Sequence, residues 1–163
     1  MFRDIYVDIT IEMERSQTEV LPFVQDLKNI EYCEVKADRV DVTRETDRTG
    51  TYTVKGRFAR YIPWQRTFAY QLHSTGFHSK EAQEPPSMLD IQGGFTVESA
   101  GEGRCKVYHY EQYKLPYRFL LLKPLIVAYL KWSQRKEMED FEKMVLARLE
   151  AQQPSNTLSG QFS

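Results

Sequence analysis

From about Arg118 to Glu150 the chain reads as one helix of roughly 30 residues, where a helix in a globular domain averages about a dozen. A rod of that length must lie across a broad partner. Phe119, Leu122, Ile126, Tyr129 and Leu130 recur at three- and four-residue steps, and Phe141, Met144, Val145 and Leu149 do so further on, the spacing of a buried stripe. Lys136/Asp140 and Glu139/Lys143 sit four apart, where opposite charges meet on an outward face. Pro124 suits the first turn of a helix that begins beside it and would kink one that begins at Tyr117. The early and late apolar sets do not quite coincide on a helical wheel. Ser133 and Glu137 fall between them on the inward side. Either the stripe rotates and both reach solvent at its edge, or they form a polar spot within a pocket.

The broad partner is visible upstream. Ile5, Val7, Ile9 and Ile11 alternate with polar residues as in a half-buried strand. Ser16 with Glu19 three residues on reads as a capping box, and Val20, Phe23, Val24 and Leu27 form the apolar side of the helix that follows. Pro22 and Asn29 break that segment into two short helices. Next come strands with no helix between them. Cys33, Val35 and Ala37 share one parity and Val40 and Val42 the other, which places a bulge near Asp38. Turns are expected at Asp47–Gly50, Ile62–Trp64, Ser74–Gly76, Pro85–Pro86 and Ala100–Gly103. The strands between them carry Tyr52, Val54 and Phe58; Phe68, Tyr70 and Leu72; Phe77 to Gln83; Leu89, Ile91, Phe95 and Val97; and Arg104 to Leu115. Gly93-Gly94 would suit a sharp bend or the close approach of another element. Strand, short helices, six strands and a long helix make an antiparallel meander of α+β class, with the terminal helix as its one large amphipathic partner.

The sequence has 163 residues, the size of one domain, expected to span 1–151 with a polar tail over 152–163. A net charge of −1 without a basic run argues against nucleic acid as a partner. The ten Tyr, nine Phe and two Trp are enough to line an apolar pocket as well as a core. Cys33 and Cys105 fit neither a disulfide framework nor metal-ligand spacing, and His73 and His78 lack further ligands, so no metal or cofactor is expected. The longest apolar run, Phe119 to Leu130, is interrupted by Lys123 and Pro124 and falls short of the ~20 residues that span a bilayer. With no leader pattern at the start, a cytoplasmic setting is expected.

Several local patterns together resemble the START-like, or Bet v 1-like (SRPBCC), helix-grip superfamily, particularly its polyketide cyclase/dehydrase and lipid-transport branch. They are Ser16–Phe23 followed by Asp26-Leu27, then Gly93-Gly94-Phe95, the Gly103-Arg104 turn, Leu115-Pro116, and the long terminal helix. The resemblance covers about residues 3–150. It implies a seven-stranded curved antiparallel sheet wrapped around the C-terminal helix, with an elongated apolar cavity between them. Members of the superfamily carry or transform lipids, sterols, quinones, polyketides and plant hormones.

Strand parity and helix spacing nominate a lining for such a cavity: Tyr52, Val54, Phe58, Phe68, Tyr70, Leu72, Ile91, Phe95, Val107 and Tyr113, with Ile126, Tyr129, Leu130, Ser133 and Glu137 from the helix. Trp64, Pro85, Pro86, Tyr117 and Phe119 are expected to form its rim, since alternate turns of a meander share one end. His109 and Glu111 share parity with Val107 and Tyr113, so they enter the cavity if that face is inward; the alternative turns Tyr108 and Tyr110 inward instead. A buried histidine and carboxylate need partners and could orient a ligand or move protons. Arg57, Arg60 and Arg66 read as solvated strand-end charges. Three functions follow. The first is binding or transport of a small hydrophobic molecule. The second is cyclase/dehydrase-type catalysis through His109 and Glu111. The third is contact with a membrane surface or a protein through Trp64, Tyr117 and Phe119–Leu122.

Overall fold

The computed structural model describes residues 2–82 and 89–152. Seven strands form one antiparallel sheet: β1 (Phe2–Met13), β2 (Ala37–Arg44), β3 (Thr49–Phe58), β4 (Ile62–His73), β5 (Gly76–Glu81), β6 (Gln92–Ser99) and β7 (Cys105–Pro116). Their spatial order is β1-β7-β6-β5-β4-β3-β2. The strands from β2 to β7 follow one another as neighbours, while β1 closes the far edge against β7. The chain must therefore cross from one edge to the other between β1 and β2. It does so through α1 (Gln17–Gln25), a 3₁₀ turn (Leu27–Asn29) and α2 (Ile30–Cys33). A second 3₁₀ segment, Tyr117–Leu122, leads into α3 (Lys123–Gln152), which packs along the curved sheet as the helix-grip architecture requires.

The burial pattern settles the question of facing. Along β7, Cys105, Val107, His109, Glu111, Tyr113 and Leu115 are all buried, and Tyr108 and Tyr110 lie on the outer face. From α3, Leu130, Ser133, Gln134, Glu137, Met138, Phe141 and Val145 are buried against the sheet. Ser133 and Glu137 therefore form a polar level inside the molecule. They lie between a small apolar cluster around Ile5, Val7, Tyr113, Leu115 and Leu130 and a larger one around Val20, Phe95, Met138, Phe141 and Val145. Glu19 accepts the Ser16 N–H at 2.8 Å at the start of α1, as the capping pattern foretold. Register slips between Ala37 and Arg39, confirming the bulge.

Three expectations are corrected. Cys33 and Val35 do not begin a strand, because the Asn29 amide ties to the Phe23 carbonyl at 2.9 Å and holds a helical turn over Ile30–Cys33. Ile62–Trp64 is not a turn. Ala59 and Arg60 adopt left-handed conformations with φ of 50° and 68°, the chain reverses there, and pairing runs on to Phe58 opposite Ile62. Pro63 is tolerated in β4 because its opposite residue, Arg57, sends its N–H to the Lys36 carbonyl and asks nothing of the proline. The helix itself begins at Lys123, five residues later than expected, with Pro124 in its first turn. Strand β5 ends at Glu81; Gln83, Pro85, Pro86 and the tail beyond Gln152 lie outside the described residues.

Gly56 fixes where β2 starts. A Cβ there would stand 1.9 Å from the Lys36 carbonyl oxygen, backbone that cannot yield. The same oxygen accepts the Trp64 indole N–H at 2.7 Å. Gly56→Ala is expected to cost about 3 kcal/mol in urea unfolding, since it both strains the backbone and breaks these bonds. A loss below ~0.5 kcal/mol would show that this contact does not hold the edge.

Candidate functional site

Between the sheet and its helices lies a cavity of about 310 Å³. β3 contributes Tyr52, Val54 and Phe58, and β4 contributes Ile62, Pro63, Trp64, Arg66 and Phe68. Phe77 and Ser79 of β5, Leu89, Ile91, and Gln92 to Phe95 of β6 continue the wall. His109, Glu111 and Tyr113 of β7, Glu137 of α3, and Ile30, Glu34 and Lys36 complete it. Of the residues nominated from sequence, ten thus meet here: Tyr52, Val54, Phe58, Phe68, Ile91, Phe95, His109, Glu111, Tyr113 and Glu137. Trp64 joins them as a wall residue. Tyr70 and Val107 pack in the larger cluster with Leu72 against them, and Leu130, Ile126 and Tyr129 pack in or against the smaller one, away from the wall. Ser133 is fully buried without lining it. Tyr117 is exposed and Phe119 half-buried outside it; Pro85 and Pro86 lie among the residues not described.

The wall is mostly apolar, but it ends on a buried cluster of charge. His109 Nδ1 lies 3.0 Å from the Gly94 carbonyl oxygen, which makes it the donor, and the ring stacks on Phe95 with centroids 4.0 Å apart. Its Nε2 stands 3.4 Å from a Glu137 carboxylate oxygen. Gly94 makes this possible: a Cβ there would meet the Phe77 carbonyl at 2.4 Å. On the other side of Glu111, the Lys36 ammonium lies 3.3 Å from Glu111 Oε1, 3.4 Å from Glu34 Oε2 and 3.3 Å from the Tyr113 hydroxyl. Tyr52 and Ser79 hydroxyls pair at 2.8 Å beside them.

Burial alone would favour the neutral form of each group; the neighbours override it for His109, Glu137 and Lys36 but not for Glu34. For His109, desolvation pulls its pKa down, but Glu137 and then Glu111 outweigh it and push it up to about 9. Glu137 is held below the usual carboxylate range despite burial, chiefly by the His109 charge. Desolvation and the nearby Glu137 push Glu34 up to about 8, so it is a neutral acid at pH 7. Lys36 stays charged because Glu111 and Glu34 more than offset its burial. Two cations thus face two carboxylates, with one neutral acid beside them. His109 and Glu34 can give protons, and Glu111 and Glu137 can accept them or hydrogen bonds.

The sign of the pH dependence follows. Both His109 and Glu34 bind protons more tightly folded than unfolded, so stability is lost as pH rises, through the window from about 4.5 to 8 for Glu34 and from about 6.5 to 9 for His109. Denaturant midpoints should fall between pH 6 and pH 9.5. The fall should be smaller in His109→Gln, and an equal fall in both proteins would remove His109 from this network.

Ligand atoms of His109, Glu111 and Glu137 lie within 4.8 Å of one another, and among the described residues this is the group that could hold a metal ion. The Lys36 ammonium already sits against Glu111 and the imidazolium against Glu137. A divalent ion would have to displace the His109 proton and face that ammonium, so the cluster reads as an ion network.

Glu34, Lys36 and Arg66 escaped the reading of the sequence. The strand parity assigned to Cys33, Val35 and Ala37 pointed Glu34 and Lys36 at solvent; the α2 turn and the bulge after Ala37 turn them in. Arg66 faces the cavity and lies 3.5 Å from buried Glu81, whereas Arg57 and Arg60 are exposed as expected.

No family model and no curated protein sequence matches this chain. Solved structures do. The Thermus thermophilus protein TTHA0849 superposes with a TM-score of 0.76 at 14% identity, covering 88% of this chain and 99% of that one. The Zhui aromatase/cyclase from a Streptomyces species gives 0.71 at 10% identity over 96% of this chain and 100% of its own. A START superfamily protein from Mycobacterium smegmatis gives 0.71 at 9% identity over 88% and 98%. At such identities the likeness establishes the fold, and that fold is the START-like helix grip expected from the sequence.

Proposed function

We propose that this START-like helix-grip protein holds a small, largely apolar molecule in the cavity, with the polar end of that molecule against the Lys36–Glu111–His109–Glu137 cluster. The observation that carries this reading is the pairing of apolar walls with a buried carboxylate oxygen that finds no hydrogen-bond partner among the described residues. Glu111 Oε2 is such an atom on the cavity wall, and His109 Nε2 and Glu137 Oε2 beside it have only each other, at 3.4 Å. Unsatisfied polar groups in an apolar interior cost free energy, and a guest carrying a hydroxyl or similar donor would satisfy Glu111 Oε2. The volume falls at the lower end of small-molecule sites. A reaction of the class that the aromatase/cyclase neighbour is named for is compatible with the same cavity.

Trp64 supplies the readout, because it lines the cavity while the second tryptophan, Trp132, is exposed. In a Trp132→Phe background, titration with an apolar naphthalene-class dye should quench Trp64 emission saturably at one dye per chain. Quenching that never saturates, or that is unchanged by excess of a competing apolar molecule, would contradict a defined site.

The buried acid pair favours a second reading, proton transfer on a bound polyketide-like substrate, with His109 as the donor and Glu111 as the acceptor. His109→Ala and Glu111→Ala should then each abolish turnover of such a substrate while leaving dye binding in place. Normal turnover in both would exclude these roles.

A further inference from the structure

We propose that the end of the molecule where the cavity meets solvent docks on an anionic lipid bilayer, so that the guest is exchanged with a membrane surface. This rests on the reading of the cavity as a site for an apolar molecule. Ile62 marks the mouth, because it lines the cavity and is yet 60% exposed. Around it stand large side chains that solvent would not normally be given: Tyr61 is 85% exposed, Leu121 94%, Leu125 69% and Trp132 52%.

These residues come from the β3–β4 reversal, from the 3₁₀ segment Tyr117–Leu122 and from α3, which continues it, and the reversal and α3 are fastened together. The Ala59 N–H of the β3–β4 turn donates to the Tyr129 hydroxyl at 3.0 Å, the Phe58 and Tyr129 rings pack at a tilt with centroids 4.7 Å apart, and the Tyr129 and Trp132 rings lie 5.9 Å apart. The turn and the first turns of α3 therefore present one surface. Contiguous exposed apolar area of this kind marks an interaction site.

Charge indicates the partner. The chain carries −1 overall, yet residues 49–80 contain five Lys or Arg and no Asp or Glu, and residues 112–136 contain six and none. Arg57 pairs with Asp38 and Lys114 with Asp90. Asp4 lies opposite Lys114 in the register, and Glu81 at the end of β5 lies against Arg66. Arg60, Lys123 and Lys131 lie beside the apolar residues in the chain and are exposed or half-buried. A basic rim around protruding Leu, Tyr and Trp is the pattern of a peripheral membrane surface, the rings at the headgroup level and the cations over anionic lipid. A second copy of the chain fits worse, because the three cations would face three more. No helix among the described residues is long and apolar enough to cross a membrane, so the contact is peripheral.

The test is sedimentation with phosphatidylcholine vesicles, with and without about a third phosphatidylglycerol. The protein should bind the anionic vesicles and not the neutral ones, and should be released as salt rises from ~0.1 M to ~1 M. Lys123→Gln with Lys131→Gln should lower the partition coefficient about 25-fold, about fivefold for each charge. Leu121→Asp with Leu125→Asp should lower it about tenfold or more. Both variants should keep the unfolding midpoint and the Trp64 dye titration in vesicle-free buffer, so that a failure of docking is distinguishable from a failure of the cavity site. Equal binding to neutral vesicles, no binding to either, or full binding by either variant would overturn the proposal. So would a concentration-dependent dimer that disappears in the Leu121/Leu125 variant, which would assign the face to a second copy.

Discussion

Lys36→Met is expected to destabilise the protein by about 3–5 kcal/mol, because it leaves buried charge without its partner. The ammonium is buried and lies within 3.4 Å of Glu34 and 3.3 Å of Glu111 and the Tyr113 hydroxyl. Methionine fills the same space but returns none of these contacts, and Glu111 is then left inside with only the imidazolium to balance two carboxylates. The matched control is Lys106→Met, whose pair with Glu12 at 3.3 Å is solvent-exposed and should cost less than about 1 kcal/mol. Adding Glu111→Gln to Lys36→Met should recover about 1–3 kcal/mol, the coupling expected of groups in one network. Urea unfolding of the four proteins measures all of this. If Lys36→Met and Lys106→Met cost the same, the cluster is not the buried network described.

Filling the cavity should have the opposite profile. Val54 is buried on β3 and lines the wall. Val54→Phe is expected to weaken dye binding about 100-fold, because displacing three or four buried methylene groups of the guest forfeits roughly 2.5–3 kcal/mol. Stability should change by less than ~1 kcal/mol, since the new ring enters open space. Were the region already solid, the same substitution would overpack the core and cost about 1–3 kcal/mol without touching affinity. The two readouts therefore move in opposite directions under the two descriptions.

Most of the fold is legible in the residues because strand alternation is a local property. The parity that joins Val107, His109, Glu111 and Tyr113 is the parity the sheet buries, and the i, i+4 relation of Ser133 to Glu137 sets both inward. What escaped depends on interruptions of local rule. Lys36 and Glu34 turn inward only because a four-residue helix and a bulge reset the alternation between Asn29 and Arg39. The β3–β4 reversal sits at Ala59 and Arg60, residues without turn chemistry of their own, so Pro63 attracted the assignment. Helical spacing placed Ile126, Tyr129, Leu130 and Ser133 on the correct face. It could not say that Glu137 alone among the nominated helix residues reaches the wall, because Leu130, Ile126 and Tyr129 pack in or against the smaller apolar cluster instead.

Native mass spectrometry of the protein as purified from the cells that make it, followed by solvent extraction of the same sample, tests the cavity site most directly. The expected result is a small apolar molecule retained at one per chain, recovered in the extract and missing from Val54→Phe. Protein of bare mass from both, together with no saturable quenching of Trp64 by added apolar ligands, would contradict the account.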